Sequence, residues 1–263
     1  MFNVANYLET IGYAGSNEPT LDTLRAVQKQ HLMSVPFDNS VNANVDRGLS
    51  VWDDVDIDPD ESYESIVVGG RGGVCYELNG LFRFLLTGMG YDYQILAGAV
   101  RQVTGGFGPD LEHIFGCVRL DGELWLVDVG IAGPHYIEPL RVTSEVQELY
   151  GVRYRMFESD GYWVVQRKPK TGDWQAIYRF RMQFRDIDEW NDPDPSLVEF
   201  PPGLVAVGTF IHSRATENGQ IVLIGRRCLK VADGEESVRV LVDPVEYKET
   251  VNTILNPETR GVS

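Results

Sequence analysis

The hydrophobic period of this chain changes once, around Gly88 and Gly90, and that change limits the possible folds more than any other feature. Upstream, apolar residues recur at helical spacing over 3–12 and 20–34, and the second run stops at Val35-Pro36, where proline disfavours helix in the residue before it. A third helix is predicted from Cys75, because Leu78, Leu81, Phe82, Leu85 and Leu86 share one face and the two glycines can close its end. The acidic stretch 53–64 reads as a loop. Downstream the period becomes two. Runs at 91–103, 112–120, 123–129, 154–166 and 174–184 are rich in β-branched and aromatic residues and are separated by Gly, Asp and Pro, which predicts an antiparallel sheet closed or nearly closed into a small barrel. Segment 186–202, with four prolines, reads as a linker; strands near 204–212, 220–231 and 237–242 and a helix near 244–255 follow. The expectation is an α+β chain in three parts: a helical 1–90, a barrel over 91–190, and an α/β region over 191–263.

Composition removes several classes of function. A net charge of −16 over 263 residues opposes nucleic-acid binding, which needs a basic surface to neutralise phosphates. An anionic partner would need a local basic patch; Arg214, Arg226, Arg227 and Lys230 either form one or are scattered surface charges. No apolar run reaches membrane-spanning length, and Met1-Phe2-Asn3-Val4 lacks the basic start and apolar core of a signal peptide, so the expected compartment is the cytoplasm. The three cysteines contain no C-x-x-C pair, the four histidines lie far apart, and neither a phosphate loop nor a dinucleotide fingerprint is present. The expectation is therefore no metal and no permanently bound cofactor.

What remains is thiol chemistry. Gly69-Gly70-Arg71-Gly72-Gly73-Val74 delivers Cys75 to the first turn of a helix, where unpaired N–H groups and the helix dipole favour thiolate, the reactive form. The alternative is a buried small hydrophobe, the ordinary state of a free cysteine. A second element decides between them. Asp121-Gly122 lies between two alternating runs and predicts a two-residue type I′ hairpin. That turn sets Leu120 opposite Glu123 and Phe115 opposite Asp128, which brings His113 and Asp128 to one face as diagonal neighbours. A carboxylate that holds one imidazole nitrogen leaves the other free to take a proton, so Cys75, His113 and Asp128 would form nucleophile, base and orienter. Cys117 and Cys228 fall within strand patterns and read as core. His31 reads as a core histidine, whereas His212 either borders a ligand cleft or is structural.

At this point the chain resembles the arylamine N-acetyltransferase family. The likeness rests on His31-Leu32 with Val35-Pro36-Phe37-Asp38-Asn39, on Arg71-Gly72-Gly73-Val74-Cys75-Tyr76-Glu77-Leu78-Asn79, on His113, and on Leu126-Val127-Asp128-Val129-Gly130 followed by Pro139-Leu140. The intervals of 38 residues from cysteine to histidine and 15 from histidine to aspartate also look like the family. The resemblance implies a helical bundle carrying the nucleophile, a β-barrel carrying His and Asp, and an α/β lid around a cysteine-proteinase-like core. It implies ping-pong acyl transfer from a thioester through Cys75 to an arylamine, and a structural ion pair between Arg71 and Asp38, with aspartate where glutamate is usual. Phe37, Phe107, Gly130, Ile131 and His212 are the residues it would set against substrate. Ile131 stands where an aromatic usually lines the amine pocket, which suggests a more open cleft. Together with the stretches 107–113, 129–140 and His212-Ser213-Arg214, it looks more like the branch of amide synthases that release ansamycin polyketides as macrolactams. The acyl donor would then be an acyl-carrier-protein thioester on phosphopantetheine; the alternative donor is acetyl-CoA, and a further alternative is a binding module on an inherited fold.

Overall fold

Asn3 and Thr20 open the first two helices by accepting hydrogen bonds from backbone N–H groups of the first turn, which otherwise lack partners. In the computed structural model, which describes residues 1–40, 58–102, 105–190, 193–198 and 209–256, these helices are α1 (Val4–Thr10) and α2 (Leu21–Ser34). The chain leaves α2 at Val35-Pro36 and forms β1 (Phe37–Asp38). Part of the segment expected to be an acidic loop is helical: Asp58 caps α3 (Pro59–Ser62), which continues as a π-helical turn (Tyr63–Val68). The acidic residues there serve as cap and first turn, a use that a reading of charge alone does not reveal. Helix α4 (Cys75–Gly88) then buries Leu78, Leu81, Phe82, Leu85 and Leu86 in one cluster with Tyr7, Leu24 and Val27.

Eight strands follow: β2 (Asp92–Val100), β3 (His113–Leu120), β4 (Glu123–Val127), β5 (Leu140–Arg141), β6 (Gln147–Leu149), β7 (Val152–Ser159), β8 (Tyr162–Lys168) and β9 (Gln175–Phe180). Their order, β5-β4-β3-β2-β9-β8-β7-β6, is antiparallel throughout and leaves β5 and β6 as the two edges. Gln147 links those edges, its amide exchanging hydrogen bonds of 2.9 Å with the backbone N–H and C=O of Arg141. The barrel is thus nearly closed, with Leu96, Phe115, Tyr136, Tyr178 and Phe180 in its core. The hairpin between β3 and β4 has the predicted register, Leu120 facing Glu123 and Gly116 facing Val127, with Asp121 and Gly122 at φ 51° and 81°. The run read as one strand over 154–166 divides at a second Asp-Gly turn, where Asp160 and Gly161 also take positive φ.

The segment read as a linker carries a 3-10 turn (Ile187–Trp190) and α5 (Pro195–Val198). A second sheet then forms from β10 (Ile211–Thr216), β11 (Gly219–Ile224), β12 (Arg227–Ala232) and β13 (Glu235–Val240), and α6 (Pro244–Leu255) packs on it through Ile254. The strand expected over 220–231 is two, folded back at Gly225, whose φ of 55° suits glycine. Of the strand expected near 204–212, residues 204–208 lie outside the described residues. Strand β1, far away in sequence, pairs with β10 at the edge of this sheet. Among the described residues no helix is long and apolar enough to cross a membrane.

Candidate active site

The glycine-rich turn is held from two directions. Gly73 bridges to Phe37: its N–H donates to the Pro36 carbonyl at 3.3 Å and its own carbonyl accepts from Asp38 at 2.9 Å. Gly72 sits at φ 72°, where any Cβ would also meet the Pro36 oxygen at 2.6 Å. Glu77 closes the helix start by accepting from the Val74 N–H at 3.1 Å and from Arg71 at 2.5 Å. This places Cys75, 8% exposed, at the first position of α4.

His113 starts β3 and Asp128 follows β4, and His113 Nε2 donates to Asp128 Oδ2 at 2.8 Å, both side chains being almost completely buried. The register inferred from the Asp121-Gly122 turn therefore places both groups on one face. Burial alone would lower the His113 pKa; the charge and hydrogen bond of Asp128, with a hydrogen bond to Cys75, outweigh it and raise the value to about 10. Burial would raise Asp128, but the charge and hydrogen bond of His113, and then His135 and the Gly130 N–H, hold its carboxyl below the usual range. The imidazole lies nearly parallel to the Phe115 ring at 5.5 Å between centroids, which keeps its plane towards the carboxylate.

Asn79 occupies a place in this arrangement that the sequence pattern does not assign. One helical turn beyond Cys75, it donates to Asp128 Oδ1 at 3.0 Å and to the Ile114 carbonyl at 2.8 Å, while its own oxygen accepts from the Val129 N–H at 2.9 Å. It ties α4, the helix that begins with Cys75, to the strands that carry His113 and Asp128. The signal for it is the i, i+4 spacing from Cys75, which puts both side chains on one helix face. Gly130 also fixes Cys75. A Cβ there would meet Cys75 Cα at 2.6 Å, so the chain after Asp128 runs directly against Cys75.

The expected pair between Arg71 and Asp38 does not form. Arg71 turns to Glu77, six residues along the chain, and Asp38 lies 3.1 Å from His212 Nδ1 across the β1–β10 pairing. Burial would raise Asp38, but hydrogen bonds from His212 and Ser40 outweigh it and lower its pKa. The physical reason is reach: β1 belongs to the second sheet, so its carboxylate faces that sheet.

The residues expected against substrate separate into three groups. Phe37 and Ile131, with His135, Ser213 and Gln220, line a cavity of about 10 Å³ between barrel and second sheet, room for roughly one water. Ile131, expected to open the cleft, is buried with the barrel core and lines this small cavity. His212 is buried beside Asp38, and Gly130 lies against the Cys75 backbone. Phe107 lies elsewhere, with Arg101 and Arg179 over its ring at 5.5 and 5.0 Å. His135 carries no motif that would single it out in the sequence. Burial lowers it to about 4, and its Nδ1 has no hydrogen-bond partner among the described residues. Cys117 and Cys228 are buried in their strands as expected, and burial pushes the Cys117 thiol up to about 12. Of the four residues that either form a basic patch or are scattered charges, Arg214 donates to the backbone carbonyls of Thr253 and Met33, and Arg226 to those of Leu241 and Val242.

A buried imidazole held by a carboxylate, with a cysteine at a helix start beside it, suits an acyl-transfer enzyme. Comparison with known proteins agrees. The N-acetyltransferase family profile matches residues 20–258. Proansamycin X synthase of Amycolatopsis mediterranei (strain S699) is 37% identical over 258 residues, covering 97% of this chain and 98% of that protein. An arylamine N-acetyltransferase of Mycobacterium tuberculosis (strain ATCC 25618 / H37Rv) is 29% identical over 256 residues, 94% of this chain and 86% of the other. The solved structure of the Mycobacterium marinum arylamine N-acetyltransferase in complex with CoA superposes with a TM-score of 0.77 at 26% identity, covering 96% and 93% of the two chains. The chain belongs to the arylamine N-acetyltransferase family and is an acyltransferase.

Proposed function

We propose that this acyltransferase is an amide synthase: it takes a polyketide acyl chain from an acyl-carrier-protein thioester onto Cys75 and closes it as a macrolactam by attack of the chain's own arylamine. The observation that carries this reading is the end-to-end likeness to proansamycin X synthase, which extends over 97% of the chain at 37% identity. Cys75, His113 and Asp128 supply the steps. Asp128 holds the Nε2 proton of His113 and leaves Nδ1 for the thiol; a base whose protonated form is so favoured removes the Sγ proton readily. The sulfur attacks the thioester carbonyl, the carbon–sulfur bond to the carrier breaks, and His113 returns the proton to the departing thiol. In the second half the arylamine attacks the Cys75 thioester, His113 takes the amine proton, and that proton goes back to Cys75 as the amide forms. N–H groups in the first turn of α4 face the developing oxyanion. Because donor and acceptor are one molecule, the amine reaches the carbonyl at high effective concentration. Three free cysteines suit a reducing cytoplasm as the place of action.

Transfer of acetyl from acetyl-CoA to a simple arylamine is the second reading. It is favoured by the small cavity beside Phe37 and Ile131 and by the family's CoA-bound member from Mycobacterium marinum. Intact-protein mass separates the two. Loading of Cys75 from a long-chain acyl thioester, with no adduct from acetyl-CoA, is the expected result; prompt acetylation followed by transfer to aniline overturns the synthase. In Cys75→Ala no adduct should form from either donor, and persistent loading would place the nucleophile elsewhere.

A further inference from the structure

An arginine-lined surface stands beside the His113 end of the barrel, on a chain whose net charge is −16. Tyr162 lies against two guanidinium groups, Arg179 at 4.1 Å and Arg181 at 4.0 Å from its ring centre, and its hydroxyl donates to Asp110 at 2.7 and 2.9 Å. Arg179 and Arg101 also approach the Phe107 ring, extending the array towards the loop that leads into His113. Neither Arg101 nor Arg179 meets a carboxylate among the described residues, and the buried Nε of Arg179 has no hydrogen-bond partner there. Arg181 shares Asp110 at 3.6 Å, and Arg185 pairs with Glu189 at 2.8 Å. Among the described residues, two of the four positive charges therefore have no carboxylate partner, in a molecule that elsewhere carries an acidic excess. Next to them Met182 and Phe184 are 37% and 44% exposed, which adds apolar contact area to the charge.

The position is as informative as the charge. Gly98 of β2 faces His113 on one side and Phe180 of β9 on the other, so Arg179 and Arg181 lie two strand spacings from the His113 backbone, about 10 Å. A flexible phosphopantetheine arm anchored at this surface would start about that far from the His113 backbone. Arginine and aromatic side chains in a rigid, mutually stacked array are what well-packed interfaces use as anchors, and rigidity lowers the ordering cost of binding. An acidic partner is repelled by most of this protein and attracted here, so the patch sets orientation and association rate.

We propose that Arg101, Arg179 and Arg181, with Met182 and Phe184, form the docking surface for the acidic face of the acyl carrier protein that delivers the thioester to Cys75. This rests on the amide-synthase reading. The test compares three donors bearing one long acyl group: a phosphopantetheinylated acyl carrier protein, the CoA thioester, and the N-acetylcysteamine thioester, which lacks both phosphate and protein. In Arg101→Glu/Arg181→Glu, the ratio of kcat/KM for the carrier donor to that for the N-acetylcysteamine donor should fall at least about tenfold, and the carrier reaction should lose most of its sensitivity to added salt. Loading from the small thioester reports that the variant is folded, and Arg101→Gln should show the same change in smaller measure. If the unaltered enzyme loads from the carrier and the ratio is unchanged in the variant, the docking surface is wrong while the synthase stands. An equal fall for CoA and carrier donors means that the arginines read phosphate alone, which also overturns the proposal. Failure of the unaltered enzyme to load from the carrier at all, with prompt loading from acetyl-CoA, removes the synthase reading and the docking surface with it.

Discussion

Two structures hold the turn at Cys75, and they draw on different kinds of information. The β3–β4 hairpin reaches it through Gly130, packed on the Cys75 backbone, and β1 reaches it through the bridge from Phe37 to Gly73. The hairpin is local: one Asp-Gly turn sets its register, and the register brings His113 to Asp128. The β1 seam is remote, since β1 pairs with β10 more than 170 residues away and draws Asp38 to His212. The geometry of the proposed triad is thus tied to short-range turn chemistry, and the surrounding support to long-range pairing.

The sharpest way to break that contrast is to add one carbon on each side. In Gly130→Ala the new Cβ meets Cys75 Cα at 2.6 Å and Cys75 O at 3.0 Å, both backbone atoms with nowhere to go. We expect single-turnover acyl loading to fall about a hundredfold, the usual consequence of moving a reacting group by an ångström. In Gly73→Ala the nearest atom is Glu77 Oε2 at 2.9 Å, the end of a flexible side chain, and loading should fall by less than about tenfold. Equal losses would mean that both supports constrain the nucleophile alike.

Acidity and alkalinity probe the two regions in opposite senses. His31, buried in the helical core, is lowered to about 3, and His135, at the cavity between barrel and second sheet, to about 4, each by burial first. Both are neutral when folded, so their contribution is present above the unfolded value near 6.5 and is lost as pH falls towards those values. In that window each contributes a slope of about 1.4 kcal/mol per pH unit, and His135→Gln should remove one such increment from urea midpoints measured between pH 6 and 4.5. His113 behaves conversely. Raised to about 10, it stabilises the fold below the unfolded value and loses that contribution as pH rises through 10, so His113→Gln should flatten the alkaline limb; it also removes the partner that holds Asp128 low, so the acid limb should shift with it.

The same division decides how much of the molecule is legible in its sequence. The helix faces, the barrel hairpin, the His113–Asp128 pairing and the buried Cys117 and Cys228 depend on period, turn residues and composition, all local. The Asp160-Gly161 turn carries the same signal as Asp121-Gly122 but is hidden inside a continuous apolar run. Pairing of Arg71 with Glu77, and of Asp38 with His212, depends on which sheet receives β1, and two residues such as Phe37-Asp38 carry too little pattern to say. Asn79 lies between: its face is readable from the helix period, but its three partners require the β3 and β4 backbones to be in place. Removing it should cost less than adding a carbon at Gly130. Asn79→Ala leaves the Val129 N–H unpaired in the interior, so we expect about 1–3 kcal/mol of lost stability by urea titration. A positioning role further requires an altered pH profile of Cys75 alkylation, whereas a merely structural role leaves that profile unmoved.

The smallest effect should come from the seam. Asp38→Asn keeps an oxygen for the Ser40 N–H and hydroxyl, which the carboxylate now accepts at 2.8 and 2.6 Å, but removes the charge facing His212. The Ser40 bonds then go to a neutral amide instead of a carboxylate, so the loss is the difference between a charge-assisted and an ordinary bond, about 1 kcal/mol. Because the bridge between Phe37 and Gly73 is made by backbone groups, it survives the substitution, and Cys75 alkylation at neutral pH should stay within about twofold. A larger fall in alkylation would show that the Asp38–His212 contact reaches the nucleophile after all. The seam would then belong to the catalytic geometry as much as the hairpin does, and the division between local chemistry and remote support would have to be abandoned.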